Sequence, residues 1–89
     1  MGDTKTVDFG DIRIILEMAQ IVPKNNIYAI NNAKEIVWRI GDVIKLSRPE
    51  SYISLSKRNN DEIKIVSISG ISYIINVYSK EIVSRQITK

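Results

Sequence analysis

Polar and apolar residues near the start of the chain follow the spacing of an amphipathic helix. From about Phe9 to Val22, the polar residues Arg13, Glu17 and Gln20 fall three or four positions apart in a mostly apolar stretch, which would form one polar stripe on a helix. An aspartate precedes this stretch and a proline follows it, as is common at helix termini. The pattern predicts an N-terminal helix.

A strand is the competing interpretation of the same segment. Ile12, Ile14, Leu16 and Met18 alternate with their neighbours at a period of two, which is the spacing of residues on one face of a strand. A short second helix is predicted over residues 33–40. There too, three β-branched residues fit a strand equally well.

The second half of the chain has the pattern of antiparallel β-structure. Four strand-length segments rich in Ile, Val, Tyr and Ser are separated by turn residues: Val43–Ser47, Tyr52–Lys57, Glu62–Ile68 and Ile71–Ser79. A two-residue hairpin loop at Ser69-Gly70 would pair Val66 with Tyr73 and leave apolar residues on both faces. Residues 80–89 fit either a short helix or a further strand.

These elements predict an α+β fold, in which the N-terminal amphipathic helix packs on an antiparallel sheet of four or five strands. The chain has 89 residues, enough for one core, so we expect residues 1–89 to form a single domain, with residues 1–6 flexible. The predicted helix covers only one face of the central hairpin. We therefore predict that another copy of the chain covers the second face, as a homo-oligomer.

Composition limits the chemistry that is available to the chain. It contains no Cys and no His, which excludes disulfides, zinc sites built on those ligands, and catalysis by a thiolate or an imidazole. No segment is apolar enough to cross a membrane and no basic leader is visible, so we expect a cytoplasmic protein. Eighteen Ile against three Leu, with seven Asn and eight Lys, indicate an AT-rich genome, such as that of an archaeal virus or plasmid.

One pattern resembles the metal site of restriction-endonuclease-type nucleases. Asp42 and the run Glu62-Ile63-Lys64 have the acid and acid-x-Lys spacing in which carboxylates hold Mg²⁺ and the Lys orients the attacking water. Charged residues that alternate along a half-exposed strand produce the same pattern, and that interpretation has far more weight. We expect a non-enzymatic protein with no catalytic residue, no metal, no other cofactor and no small-molecule substrate.

The distribution of charge favours a binding function. Residues 1–44 carry five basic and six acidic side chains, whereas residues 45–89 carry eight basic and four acidic ones. We predict that the basic half contacts nucleic acid through its phosphates, with Tyr52 stacking on a base. The candidate binding residues are Lys45, Arg48, Tyr52, Lys57, Arg58 and Lys64. A solvated surface that prevents aggregation explains the same charges.

A protein-interaction module is the alternative function. In that interpretation the chain is an inhibitor, an anti-defence factor or an assembly subunit that acts through apolar surface as a homodimer. The candidate interface residues are Trp38, Ile82, Val83 and Ile87. For Trp38, packing in the core is the stronger of the two interpretations.

Overall fold

The computed structural model describes residues 3–18 and 24–87, which form eight strands and one helical turn. The strands are β1 (Asp3–Asp8), β2 (Ile12–Met18), β3 (Ile27–Asn31), β4 (Ile36–Arg39), β5 (Tyr52–Lys57), β6 (Glu62–Ser67), β7 (Ile71–Asn76) and β8 (Ile82–Ile87), and the helical turn α1 (Ile40–Val43) follows β4. All neighbouring strands are antiparallel. Sheet A has the order β1-β2-β3-β4 and sheet B the order β5-β6-β7-β8.

The predicted N-terminal helix, and with it the α+β fold, is wrong because the segment forms strand β2. Ile14 and Leu16 are buried, whereas the charged residues that flank them are exposed, so the period of two is the spacing that the structure uses. Strands β1 and β3 pair with the two sides of β2, and this tertiary pairing overrides the local helix propensity. Residues 19–22 of the predicted helix lie outside the described residues.

The predicted second helix over residues 33–40 is also wrong. Two of its three β-branched residues, Ile36 and Val37, belong to β4, and the third, Ile40, begins the helical turn α1 of four residues at the end of that segment. The Oδ1 atom of Asn31 accepts hydrogen bonds from the backbone N–H groups of Ala33 and Glu35, at 2.9 and 3.0 Å. These bonds form a tight turn between β3 and β4 in place of a helix cap. The strand predicted over Val43–Ser47 is wrong as well, because α1 and an irregular connection occupy those positions.

The hairpin between β6 and β7 is present, but its register differs by one residue from the predicted one. Its loop contains Ile68, Ser69 and Gly70, and the φ of 90° at Gly70 suits glycine. Because the loop has three residues and not two, Tyr73 pairs with Ile65. A shift of one residue moves side chains to the opposite face of the sheet. As a result, Ile65 and Tyr73 both lie in the core.

The two sheets share one buried apolar cluster. Sheet A contributes Val7, Ile14, Leu16, Ile27, Ala29 and Trp38, and sheet B contributes Tyr52, Leu55, Ile63, Ile65, Tyr73 and Ile75. Seven of the fifteen buried apolar residues are isoleucines. The excess of Ile therefore has a structural use, since β-branched side chains pack well on pleated sheets.

Buried polar side chains also connect the two sheets. Asn26 precedes β3, and its Nδ2 donates to the carbonyl oxygens of Glu17 and Tyr52, both at 2.8 Å. Its Oδ1 accepts from the N–H of Tyr52 at 2.7 Å. The indole Nε1 of Trp38 donates to the carbonyl oxygen of Val77 at 3.0 Å. These bonds fix how the sheets lie on each other.

The N-terminal strand belongs to sheet A along its whole length. Strand β1 pairs with β2 from Asp3 opposite Met18 to Asp8 opposite Arg13, so residues 3–6 of the segment predicted to be flexible lie in a sheet. Residues 1 and 2 lie outside the described part of the chain. In that part, no helix is long and apolar enough to cross a membrane.

Candidate interaction surface at strand β8

The residues predicted to bind nucleic acid do not come together on one face. Lys45 and Arg48 lie in the connection that enters β5, whereas Lys57 and Arg58 lie where β5 ends. A strand of six residues spans roughly 17 Å from its first Cα to its last, which separates these two basic pairs. Lys64 is exposed in the middle of β6.

Contacts within the chain engage two of these basic side chains. The Nζ of Lys57 donates to the carbonyl oxygen of Asp8 at 3.3 Å and lies 4.8 Å from the ring centroid of Phe9. Arg58 forms an ion pair of 2.6 Å with Glu62. Because both groups already have partners, the basic surface available for phosphate is smaller than the sequence suggests.

Tyr52 lies in the core and not on a binding surface, so its ring is not available to stack on a base. The ring meets that of Tyr73 edge-on, with centroids 6.4 Å apart. Neither buried hydroxyl has a hydrogen-bond partner among residues 3–18 and 24–87. Burial, with the neighbouring Tyr73 and Glu50 as smaller causes, raises the pKa of Tyr52 to about 12.

The acidic residues of the nuclease pattern lie near opposite ends of strand β5. Asp42 lies in α1, where Gly41 approaches Asn25, and Asn25 donates its N–H to the carbonyl oxygen of Glu50 just before β5. Glu62 begins β6, next to the end of β5. Its carboxylate already accepts from an arginine and an asparagine. Within residues 3–18 and 24–87, no group of three or more potential ligands could hold a metal ion.

The predicted interface residues divide into one core residue and three exposed ones. Trp38 is 5% exposed, and its indole N–H is hydrogen-bonded inside the protein. Ile82, Val83 and Ile87 are 44, 51 and 66% exposed. The structure therefore places only the three residues of β8 on a surface.

Strand β8 is one of the two outer strands of sheet B, and some of its side chains lie uncovered on the core side of the sheet. Ile82 pairs with Ile75 and Arg85 pairs with Tyr73, and both residues of β7 are buried. Directly paired residues share a face of the sheet. Ile82, Arg85 and Ile87 therefore lie on the side of sheet B that sheet A covers elsewhere.

The outer strands differ in how much apolar surface they expose. Among the described side chains, exposed large apolar residues number none in β1, one in β5 (Ile53), two in β4 (Ile36 and Val37) and three in β8. Polar edge strands are protected against unwanted pairing, whereas apolar ones are interaction sites. We call Ile82, Val83, Arg85 and Ile87 the β8 strip.

A bulge in β8 decides how a partner can approach the strip. Ser84 pairs with Ile74 and Ile82 pairs with Ile75, so Val83 is an extra residue without a directly opposite partner in β7. A bulge interrupts the ladder of backbone groups and increases the local twist. This geometry favours contact through the side chains of the strip over addition of a further strand to β8.

The charges at the strip are of opposite sign. Glu81 immediately precedes β8 and Arg85 lies inside it, and both side chains are exposed. The two ion pairs among the described residues are Asp8–Arg13 and Arg58–Glu62. The side chains of Glu81 and Arg85 therefore have no ion-pair partner in that part of the chain. The strip therefore presents apolar residues and the basic Arg85, and the acidic Glu81 lies at its N-terminal end.

The fold and the strip define a small protein of two antiparallel sheets with uncovered apolar surface on one edge strand. Comparisons with known protein families, with curated proteins and with solved structures found no match to this chain. The proposals below therefore rest on the geometry alone. Sequence reasoning identified the three apolar residues of the strip but did not place Glu81 and Arg85 beside them, because that position becomes visible only when β8 is recognised as an outer strand.

Proposed function

We propose that the chain is a protein-interaction module that forms a homodimer through the β8 strip. The observation that carries the proposal is the exposure of Ile82 and Ile87, 44 and 66%, on the core side of sheet B. Apolar residues on that side of a sheet are normally covered. A second copy of the chain would cover them.

Charge complementarity favours a second copy as the occupant. Two β8 strips that face each other in antiparallel orientation bring Glu81 of each copy toward Arg85 of the other. Two-fold symmetry makes this ion pair twice. Ile82 and Val83 lie between the two charges in the chain and would supply the apolar contact.

The size of the strip sets the expected affinity. Stable complexes bury about 800 Å² on each partner, and one outer strand offers less. We therefore expect a dissociation constant in the micromolar range, which corresponds to about −8 kcal/mol or weaker.

Sedimentation equilibrium of the full chain tests the dimer. We expect Ile87→Glu to make the protein monomeric, because it places a carboxylate in the contact. Ile53→Glu is the matched control, since Ile53 is 47% exposed in β5, the outer strand at the opposite edge of sheet B. A wild-type protein that stays monomeric at millimolar concentration, or a dimer that Ile87→Glu leaves intact, overturns the proposal.

Charge exchange tests the two-fold arrangement separately. Glu81→Arg and Arg85→Glu should each weaken the dimer by placing like charges opposite each other, and the double variant should restore it. A rim ion pair contributes about 0.2–1 kcal/mol, so each single change is expected to weaken association several-fold. If the double variant associates no better than the single ones, the antiparallel arrangement is wrong. Self-association through the apolar contact is not contradicted by that result.

Nucleic-acid contact through the basic half stays a prediction with less geometric support. The exposed Lys45, Arg48 and Lys64 remain candidates, without the ring of Tyr52. Random duplex or single-stranded DNA should then bind with an affinity that falls steeply with salt. No binding at about 50 mM salt would remove this function.

A further inference from the structure

A cleft of about 270 Å³ lies where strand β4 meets the turn between β1 and β2 and the β7–β8 turn, residues 77–81. Its apolar walls are formed by Ile12, Val37, Trp38 and Val77. Ile36 pairs with Ile30 and Trp38 pairs with Ala29, so Val37 is a bulge residue of β4. Bulges are frequent beside active sites, where they redirect a side chain. Here the redirected side chain lines the cleft.

The β7–β8 turn on one side of the cleft is fixed by hydrogen bonds. Oδ1 of Asn76 accepts from the N–H groups of Tyr78 and Ser79, both at 2.9 Å, and the carbonyl oxygen of Asn76 accepts from the N–H of Lys80 at 2.9 Å. Lys80 has a φ of 62°, a left-handed conformation that is uncommon for lysine. Such conformations persist where the surrounding structure holds them, and they cluster at functional sites. The turn therefore presents its side chains in a preorganised form, which lowers the cost of binding.

Two opposite charges line the cleft and do not pair with each other. Oδ1 of Asp11 accepts from the hydroxyl of Tyr78 at 2.8 Å, and the ring of Phe9 meets that of Tyr78 edge-on, with centroids 6.3 Å apart. These contacts hold the carboxylate of Asp11 in place. Lys80 also lines the cleft, and neither Asp11 nor Lys80 forms an ion pair in the part of the chain that the structure describes. A ligand that bridges the two groups must carry an ammonium for Asp11 and a carboxylate for Lys80.

The size and the charges of the cleft exclude several classes of ligand. Pockets for drug-sized molecules have volumes of about 300–1,000 Å³, so this smaller cleft fits a smaller ligand, such as a free amino acid. A phosphate would place its negative charge beside the carboxylate of Asp11, and like charges disfavour binding. Addition of a strand to the free edge of β4 is disfavoured because the bulge at Val37 interrupts its backbone ladder.

We propose that the cleft binds a free α-amino acid with a branched aliphatic side chain. Its ammonium group lies next to Asp11, its carboxylate next to Lys80, and its side chain against the apolar walls. We expect a dissociation constant in the millimolar range, because the cleft is open to solvent and exposed ion pairs contribute little. The site is formed by one copy of the chain and does not depend on the proposed homodimer.

The test uses L-leucine as the probe, with analogues that each lack one of its groups. N-acetyl-leucine lacks the ammonium group, leucinamide lacks the carboxylate, and glycine lacks the side chain. Binding is followed by ¹⁵N-HSQC spectra and by the fluorescence of Trp38, the single Trp of the chain. The Ile87→Glu variant is used beside the wild type, so that a failure of the homodimer does not obscure leucine binding.

We expect leucine to shift the amide resonances of β4 and of the β7–β8 turn. It should bind about two- to fivefold more tightly than leucinamide or N-acetyl-leucine, the range for an exposed ion pair. Lys80→Met should remove the advantage over leucinamide alone, and Asp11→Asn the advantage over N-acetyl-leucine alone. Val37→Asp should abolish leucine binding, because it places a carboxylate in the apolar wall. Lys64→Met, on the exposed side of β6, is the matched control and should leave the order of the ligands unchanged.

Three results would overturn the proposal. The first is the absence of shifts in β4 and the β7–β8 turn at about 50 mM leucine, well above the expected dissociation constant. The second is binding of glycine, leucinamide or N-acetyl-leucine as tight as that of leucine. The third is an order of ligands that neither Lys80→Met nor Asp11→Asn changes, which would place leucine binding outside the cleft.

Discussion

Replacement of Asn26 by Ala is expected to remove the strongest polar connection between the two sheets. The side chain makes three hydrogen bonds, two to the backbone of Tyr52 and one to the carbonyl oxygen of Glu17. Asn26 and Tyr52 are buried, so water cannot readily replace the lost bonds. A buried polar group left without a partner costs about 1–3 kcal/mol.

The expected loss for Asn26→Ala is about 3–5 kcal/mol in the free energy of unfolding. A domain of this length has a total of about 4–13 kcal/mol, so the variant should be barely stable. Urea unfolding followed by tryptophan fluorescence measures the loss. Asn32→Ala, an exposed position in the β3–β4 turn, is the control and should stay within about 0.5 kcal/mol of the wild type. A loss below about 1 kcal/mol for Asn26→Ala would refute the view that these bonds hold the sheets together.

Three further predictions concern buried aromatic residues. Tyr73→Phe removes a buried hydroxyl that has no partner in the described part of the chain, so urea unfolding should show stability unchanged or raised by about 1 kcal/mol. The pKa of Tyr52 is about 12 in the folded chain and near 10 when unfolded. The neutral phenol of Tyr52 therefore contributes its full stabilisation of the folded state below pH 10, and the free energy of unfolding should fall by up to about 3 kcal/mol between pH 10 and 12. Tyr52→Phe should reduce that fall. Trp38→Phe leaves the carbonyl oxygen of Val77 without its donor and should lower the free energy of unfolding by about 1–3 kcal/mol, as measured by thermal or urea unfolding. A change below about 0.5 kcal/mol would show that this bond is dispensable.

The β-structure of the second half was predictable because its residues alternate within short segments. Tyr52–Lys57 was predicted with the observed bounds. The segment that became β2 was predicted wrongly because it satisfies two periods at once. Its helix-forming residues and the spacing of its polar residues are local features of the sequence. The segment is a strand because it pairs with β1 and β3, and this pairing involves residues up to nineteen positions away, as in Ile12 opposite Asn31.

The candidate surface was predictable only in part, for a similar reason. No predicted element covered the apolar side chains of the C-terminal segment, and for that reason Ile82 and Ile87 were predicted to lie at an interface. The burial of Tyr52 could not be inferred, because its environment depends on Asn26, which is far away in the chain. A cleft lined by Trp38 of β4 and Lys80 of the β7–β8 turn was missed, because these two segments are far apart in the chain.

The two sides of the protein differ in how the sheets meet. Strands β1 and β2 contact β5 along one side, where Lys57 and Asn26 add hydrogen bonds between the sheets. The free edge of β4 and the uncovered β8 strip lie on the other side, joined by the β7–β8 turn. The proposed dimer would therefore close the more open side of the protein.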